Sequence, residues 1–311
     1  MLKKIFISAI LLIAVLSFVV SLLGGKNNDQ PIAVAGSRIA VINIEGAILA
    51  ADDSGNMLSG TGSAITGSIM EQIREAAADD SVKAVLLRIN SPGGSVTAAE
   101  EIAREIVRLK ATTHKPVVVS MGDMAASAGY WLAAYGDKIY ANASTLTGSI
   151  GVYIPYMNTE ELYKKVGVYG TKIKSGEYKD ILSNERPMTP AEKALLQKMV
   201  NEMYEQFLIV VSEGRSLPVE QVRILADGRI YTGKQAKELG LVDEIGNYYD
   251  ALEATAALVG IEGKPEIKSF KKQKPWESLL GAGISEIVVG QVRQILGVPG
   301  AATVLTPRAE G

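Results

Sequence analysis

Blocks of apolar and polar residues alternate along the chain in a pattern typical of an α/β fold. Short apolar runs rich in β-branched residues predict buried strands at 38–44, 82–89, 116–121 and 138–143. Apolar residues at helical spacing predict helices at 67–79 and 96–111, with a Gly/Ser/Asp-rich loop at 49–66 and a turn and helix after the third strand. This β-α-β order implies parallel strands joined by right-handed crossovers.

The second half of the chain is predicted to be helical, with a basic tail. Thr189 and Pro190 suit the N-cap and first position of a helix that runs to about Glu213. Shorter helices are predicted at 218–225 and 232–239. The predicted organisation is a cytoplasmic stub and anchor (1–26), a linker (27–37), a main domain (38–262), and a basic, partly disordered tail (263–311).

The first 26 residues predict a membrane anchor. An uncharged stretch from Ile5 to Leu23 follows Lys3 and Lys4, and as a helix it would be about 28 Å long, close to the hydrocarbon thickness of a bilayer. A cleaved signal peptide is the alternative, but it has a shorter apolar core and a cleavage motif that is not clear here. Because the lysine pair precedes the span, we expect a single-pass protein of the cell membrane with its main domain outside the cytoplasm.

Composition narrows the possible chemistry. A net charge of −2 indicates no nucleic-acid partner, and the absence of cysteine suits an exported chain. With no cysteine and one histidine, a metal site lacks its usual soft ligands, and no phosphate-binding glycine motif is present. We therefore predict neither a metal nor a cofactor.

Two small-residue motifs follow consecutive predicted strands. Gly93-Gly94 comes after the second strand and Ser127 after the third, so both belong at the carboxyl edge of a parallel sheet. The Ser127 hydroxyl could attack a carbonyl held by the N–H groups of Gly94 and Ala128, and paired N–H donors of this kind are a large term in acyl transfer. Lys179, 52 residues after Ser127, could act as the base.

Each motif also has a plain structural interpretation. Small residues at a helix start often serve close packing, Ser-Pro-Gly-Gly alone is an ordinary turn, and Lys179 is one of many lysines; only their joint order favours catalysis. His114 is the alternative base, but it precedes the third strand and should lie about 20 Å from Ser127. A Ser-His-Asp triad is therefore not expected.

Five ordered motifs together resemble the signal peptide peptidase A family, in its short, single-repeat bacterial form. The likeness runs from about residue 38 to about 262 and implies a serine peptidase domain with the Clp-type protease/crotonase fold and a Ser/Lys dyad. The motifs are Ile89-Asn90-Ser91-Pro92-Gly93-Gly94-Ser95, Met124-Ala125-Ala126-Ser127-Ala128-Gly129-Tyr130, Leu146-Thr147-Gly148-Ser149-Ile150-Gly151-Val152, Ser175-Gly176-Glu177-Tyr178-Lys179-Asp180 and Asp227-Gly228-Arg229-Ile230-Tyr231-Thr232-Gly233.

The resemblance also implies a role for each matching residue. Ser127 corresponds to the nucleophile, Lys179 to the general base, and Ser149 to a hydroxyl that holds the lysine amine. Gly94 and Ala128 correspond to the oxyanion-hole amides, and an alanine replaces the glycine often found at 128, which a backbone donor should tolerate.

The family's partners and substrates follow from the same resemblance. Its active sites lie inside a ring or dome of identical protomers, with serine and lysine brought together across a protomer boundary. Its substrates are remnant signal peptides left in the membrane, so the implied function is a membrane-anchored serine endopeptidase acting on hydrophobic peptides.

Three other functions are alternatives to this one, and each makes a different demand on the chain. A crotonase-class hydratase or thioester hydrolase would place an acidic residue at the site and has no need of an external anchor. A non-catalytic, membrane-tethered scaffold would not depend on Ser127. A Clp-like processive protease would need an ATPase partner, which is not expected outside the membrane because ATP is absent there.

Overall fold

The computed structural model describes residues 36–50 and 64–270. The chain divides into two compact units, Met1–Lys268 and Ser269–Gly311, and the elements below belong to the first except for the last residue of the final strand. The predicted anchor, most of the 49–66 loop and most of the basic tail lie outside the described residues. Within the part that is described, no helix combines the length and the apolarity needed to cross a bilayer.

Ten strands and eight α-helices are found in the described residues. The strands are β1 (Arg38–Glu45), β2 (Ile48–Leu49), β3 (Ala64–Ile65), β4 (Val82–Ser91), β5 (Val117–Ala126), β6 (Lys138–Ala141), β7 (Leu146–Gly148), β8 (Ile230–Thr232), β9 (Glu244–Ile245) and β10 (Glu266–Ser269). The helices are α1 (Thr66–Ala78), α2 (Val96–Thr113), α3 (Ala128–Ala133), α4 (Glu160–Val166), α5 (Pro190–Arg215), α6 (Val219–Leu225), α7 (Gly233–Glu238) and α8 (Tyr248–Leu258), with a 3-10 helix at Glu177–Asp180.

The main sheet has eight strands, and most of its pairs are parallel. Its central path runs β10-β1-β4-β5-β6-β9, while β7 pairs with β5 and β8. The pairs β1–β4, β4–β5, β5–β6, β5–β7 and β6–β9 are parallel, whereas β7 and β8 pair in the antiparallel sense. The predicted α/β fold with a mostly parallel sheet is therefore confirmed.

The apolar runs of the sequence form the centre of this sheet. Alternate residues of β1, β4 and β5 share one face, where Ile39, Leu86 and Val118 pack against α8 through Ala251 and Leu252. Strands covered in this way read as continuous apolar runs, which is why periodicity identified them. The helices α1 and α2 form the crossovers that connect β1, β4 and β5.

The strand β5 pairs with two different neighbours, and this positions the site. Its first half pairs with β6 and its last three residues, from Met124, pair with β7. The predicted end of this strand at Met121 is wrong, because pairing with β7 extends it to Ala126 across a bulge where Asn90 Oδ1 accepts a bond from the Met124 N–H at 3.2 Å. As a result β5 delivers the next residue, Ser127, between β7 and α3.

The short helix α3 is fixed to the core by a buried tyrosine. Tyr130 is fully buried, and its hydroxyl donates to the Leu241 carbonyl at 2.8 Å. Burial raises the pKa of the Tyr130 phenol. Next to it, Trp131 contacts Phe207 of α5 with ring centroids 4.9 Å apart. These contacts hold the helix that begins directly after Ser127.

We expect Tyr130→Phe to lower the free energy of unfolding by about 1–3 kcal/mol, because the buried Leu241 carbonyl loses its donor. Tyr156→Phe is the matched control, since the Tyr156 hydroxyl donates to the Arg186 carbonyl at 2.6 Å from an exposed position, where water can replace it. Urea unfolding of both variants measures the difference, and equal losses would contradict this account of Tyr130.

Candidate active site

Ser127 has a backbone conformation that few non-glycine residues adopt. Its φ is 54° and its ψ is −124°, at the turn from β5 into α3. Its N–H donates to the Gly148 carbonyl of β7 at 2.9 Å, which fixes this turn. Such conformations cost about 1–3 kcal/mol and are concentrated at functional sites. A serine on a sharp strand-to-helix turn is also the arrangement that exposes the nucleophile in the α/β-hydrolases.

The Ser127 hydroxyl forms no hydrogen bond with any other residue that the structure describes. Ser127 is half-buried, and its side chain makes no capping bond to α3. Gly129 allows close packing, because a Cβ there would lie 3.1 Å from the Ser91 carbonyl oxygen. The small residues around Ser127 therefore serve packing as well as access, so both interpretations of this motif are compatible with the structure.

The Gly93-Gly94 turn lies directly against Ser127. A Cβ at Gly93 would be 2.7 Å from the Ser127 Cβ and 3.0 Å from the Ala128 nitrogen. On the other side, a Cβ at Gly94 would be 2.1 Å from the Ile48 carbonyl oxygen. A side chain at Gly93 would push the turn away from Ser127, and one at Gly94 would push it away from Ile48, so the close approach of the backbone requires both glycines.

Two backbone N–H groups beside Ser127 have no acceptor among the described residues, namely those of Gly94 and Ala128. The polar backbone groups of Gly93 are already paired. The Gly93 N–H donates to Ser91 Oγ at 3.1 Å, and the Gly93 carbonyl accepts from the Ile48 N–H at 2.9 Å. The turn is thus held in place while the two free donors remain available to a substrate oxygen.

Ser149 is brought close to the same turn by β7. It follows Gly148, the residue whose carbonyl binds the Ser127 N–H, and its own N–H donates to the Arg229 carbonyl at 2.8 Å. Its φ of 50° is again unusual for a residue other than glycine. Ser127, Ser149, Gly94 and Ala128 are therefore held on neighbouring turns at one edge of the sheet.

Lys179 is not joined to these residues within the single chain. It lies in the 3-10 helix, its side chain is exposed, and its Nζ makes no hydrogen bond or ion pair with any described residue. In particular, no hydrogen bond links Lys179 Nζ to Ser127 or Ser149. The structure therefore brings together four of the five predicted site residues and leaves the lysine apart.

The stretch that carries Lys179 exposes many apolar side chains. The helix α4 within it buries none of its residues, and Tyr153 and Tyr169 are 82% and 83% exposed. The exposed large apolar residues of this stretch, here called the apolar segment, are Tyr153, Tyr156, Met157, Leu162, Val166, Val168, Tyr169, Ile173, Tyr178 and Leu182. Such a concentration is typical of an interaction surface.

A charge cluster beside Lys179 was not predicted from the sequence. Arg186 pairs with both Asp180 and Glu192, and Lys174 adds a second positive charge to Asp180. The Arg186 guanidinium and the Thr189 N–H lower the pKa of Glu192 to about 2, and Arg186 with Lys174 holds the pKa of Asp180 well below its usual range. No sequence signal marks this cluster, because its members are six residues apart and follow no helical spacing.

The alternative base, His114, and the groove between α2 and α5 do not adjoin Ser127. His114 is exposed at the C-cap of α2, before β5 begins, which confirms its expected place at the opposite edge of the sheet. Among the described residues no group of acidic or imidazole side chains could hold a metal ion. A groove of about 670 Å³ between α2 and α5 includes Asp137, which binds the first residue of β5, so it too lies at the end of β5 opposite to Ser127.

Comparisons with known proteins agree on one class of enzyme. The model of peptidase family S49 matches residues 110–262, which include Ser127, Ser149 and Lys179. The model of the Clp protease family matches residues 56–147. Both matches point to a protease built on the Clp-type fold.

Individual relatives give the same result. A Synechocystis sp. protein with a provisional protease name is 42% identical over 72% of this chain and 83% of its own length. Protease 4 of Haemophilus influenzae is 36% identical over 85% of this chain and 42% of its own. The chloroplastic serine protease SPPA of Arabidopsis thaliana is 35% identical over 84% of this chain and 38% of its own.

The fold, the Ser127 turn and these comparisons define a serine protease. The chain belongs to peptidase family S49, which confirms the resemblance to the signal peptide peptidase A family.

Proposed function

We propose that this protease is a membrane-anchored endopeptidase in which Ser127 is the nucleophile and Lys179 the general base. The observation that supports it best is the Ser127 turn. Its strained backbone presents a free hydroxyl beside the unpaired N–H groups of Gly94 and Ala128. No histidine is available to activate the serine, because His114 lies at the opposite edge of the sheet.

The reaction follows from these groups. The neutral amine of Lys179 accepts the Ser127 proton as Oγ attacks the scissile carbonyl, and the N–H groups of Gly94 and Ala128 hold the oxyanion. The resulting ammonium then protonates the leaving nitrogen, and the regenerated amine later deprotonates the water that hydrolyses the acyl-enzyme. Ser149 accepts a hydrogen bond from the amine and orients it toward Ser127.

A second copy of the chain completes the site in this proposal. Within one chain Lys179 is exposed and has no bond to Ser127, whereas lysine in water is protonated at neutral pH and cannot act as a base. Burial in a protomer boundary would exclude water and favour the neutral amine. The apolar segment around Lys179 supplies the surface for that boundary.

The proposed substrates are remnant signal peptides and similar hydrophobic peptides. The predicted anchor would hold the domain beside the membrane in which these peptides remain after export, on the side where no ATPase partner could act. The hydratase and thioester hydrolase have no support, because the chain belongs to a protease family. The labelling experiment below distinguishes a peptidase from a non-catalytic scaffold.

Labelling with a serine-directed peptide electrophile tests this function. The full-length protein in detergent should react with a hydrophobic peptidyl fluorophosphonate, and peptide mapping should place the adduct on Ser127. Ser127→Ala is the matched control and should remain unlabelled. An adduct on another serine would overturn the assignment, and a folded protein that is neither labelled nor active would support the scaffold.

Topology can be measured separately. We expect protease added to intact protoplasts to digest the domain after residue 26, because the lysine pair before Ile5 favours a cytoplasmic N-terminus. Complete protection in intact protoplasts, with digestion only after lysis, would reverse the orientation. A mature N-terminus near residue 25 would show a cleaved signal peptide instead of an anchor.

A further inference from the structure

We propose that Arg186 is the positioning residue for Lys179, because it fixes the 3-10 helix that carries the lysine to the N-terminus of α5. The inference rests on the proposed function, in which Lys179 is the base. Arg186 itself touches no substrate in this account and acts through the backbone of the lysine-bearing helix.

One guanidinium joins both partners through pairs of hydrogen bonds. Arg186 Nε and Nη2 donate to the two Asp180 carboxylate oxygens at 3.0 and 2.8 Å. Its Nη1 donates to a Glu192 carboxylate oxygen at 2.8 Å, and Nη2 donates to the other. Asp180 is the residue directly after Lys179, so the position of the lysine backbone is set by this bond pattern.

Glu192, the partner of Arg186 in α5, is rigidly held. Glu192 is 2% exposed and belongs to the capping box of α5, in which its carboxylate accepts from the Thr189 N–H at 2.8 Å. The same carboxylate thus caps the helix and anchors Arg186. A helix of 26 residues with a buried Phe207 gives this anchor a firm support in the core.

The 3-10 helix that carries Lys179 needs support from outside itself. The stretch around the lysine contributes little to the core, since α4 buries no residue and the 3-10 helix buries none. Lys174 closes the other side of the 3-10 helix by donating to the Asp180 carboxylate at 2.7 Å and to the Glu177 carbonyl at 3.1 Å. Charge pairing therefore replaces apolar packing as the force that orders the lysine-bearing helix.

The matched pair of variants is Arg186→Lys and Arg223→Lys. Lysine keeps the charge but cannot form paired bonds to a carboxylate. Arg223 forms the same paired bonds with Glu205 at 2.6 and 2.9 Å, near the middle of α5 and far along the helix from Thr189. We expect Arg186→Lys to lower kcat about 100-fold with little change in KM, because displacing a catalytic group by about 1 Å lowers the rate by about that factor. Arg223→Lys should leave both constants unchanged.

Hydrogen–deuterium exchange supplies a readout that does not depend on activity. In full-length Arg186→Lys, amides of residues 172–186 should exchange faster while those of β4 and β5 keep their protection. Asp180→Asn, which retains the Glu192 contact and the α5 cap, should give a smaller change in the same place. Unchanged exchange at 172–186, or an equal rise across β4 and β5, would refute local positioning.

Mixed assemblies assign the defect to one half of the dyad. Arg186→Lys should regain activity when co-assembled with Ser127→Ala, which supplies an intact lysine, and should gain none with Lys179→Ala. Gain with Lys179→Ala would overturn the inference. If Lys179→Ala is inactive while Arg186→Lys is fully active, the inference alone fails; an active Lys179→Ala protein removes the proposed function itself.

Discussion

Ser127→Ala and Lys179→Ala are each expected to abolish peptide hydrolysis, lowering kcat by about 10³-fold or more, because a nucleophile and its base act as one unit. The double variant should be no worse than either single one, for the same reason. The measurement is turnover of a fluorogenic hydrophobic peptide by the full-length protein. Circular dichroism and urea unfolding should show an unchanged fold.

The lysine substitution has a chemical control and a positional one. Lys179→Arg should be as inactive as Lys179→Ala, since arginine keeps its proton at any accessible pH. Lys165→Ala removes another exposed lysine of the same stretch and should keep normal turnover. Near-normal turnover by Lys179→Ala would end the dyad mechanism.

Much of the central sheet could be predicted because its signals are local. The strands β1 and β4 are covered by helices and appear as continuous apolar runs, and α5 begins at the predicted Thr189 with a complete capping box. The helix α8 was not predicted, although Asn247 and Asp250 at its start form a readable capping box. The local signal for this helix is therefore present in the sequence.

Other elements could not be predicted, because they depend on partners distant in sequence. The strands β7 and β8 have three residues each, too few to show a period, and exist only by pairing with β5 and with each other. The end of β5 differs from the prediction because Gly122-Asp123 resembles a turn, whereas in the structure Gly122 allows close approach to Asn90 across the bulge.

The site likewise contains features that local motifs predict and features that only the structure reveals. The motifs identified Ser127 and the Gly93-Gly94 turn, since small residues at strand ends are visible in the sequence. The φ of Ser127 and the free N–H groups emerged only from the structure. The contacts of Arg186 with Asp180 and Glu192 are made by a loop whose course no local pattern specifies.

Mixing two inactive proteins is expected to restore activity if the dyad forms between protomers. Ser127→Ala retains an intact Lys179, and Lys179→Ala retains an intact Ser127. When they co-assemble at equal amounts, about a quarter of the boundaries in a head-to-tail ring would pair the intact serine with the intact lysine. We therefore expect about a quarter of the unmodified activity from an assembly whose components have almost none.

The structure makes this the sharpest test of assembly. In one chain Lys179 Nζ has no hydrogen bond to Ser127, and the apolar segment next to it is uncovered. Charged substitutions in that segment, such as Ile173→Asp, should prevent both assembly and restoration while the Ser127 turn stays intact. Lys165→Asp is the matched control at an already polar position.

Failure to restore activity in proven mixed assemblies would place both groups of the dyad in one chain, and so would a fully active monomer in light scattering. Either result would require the lysine-bearing helix to move toward Ser127 within the protomer, against the bonds that Arg186 makes to Asp180 and Glu192.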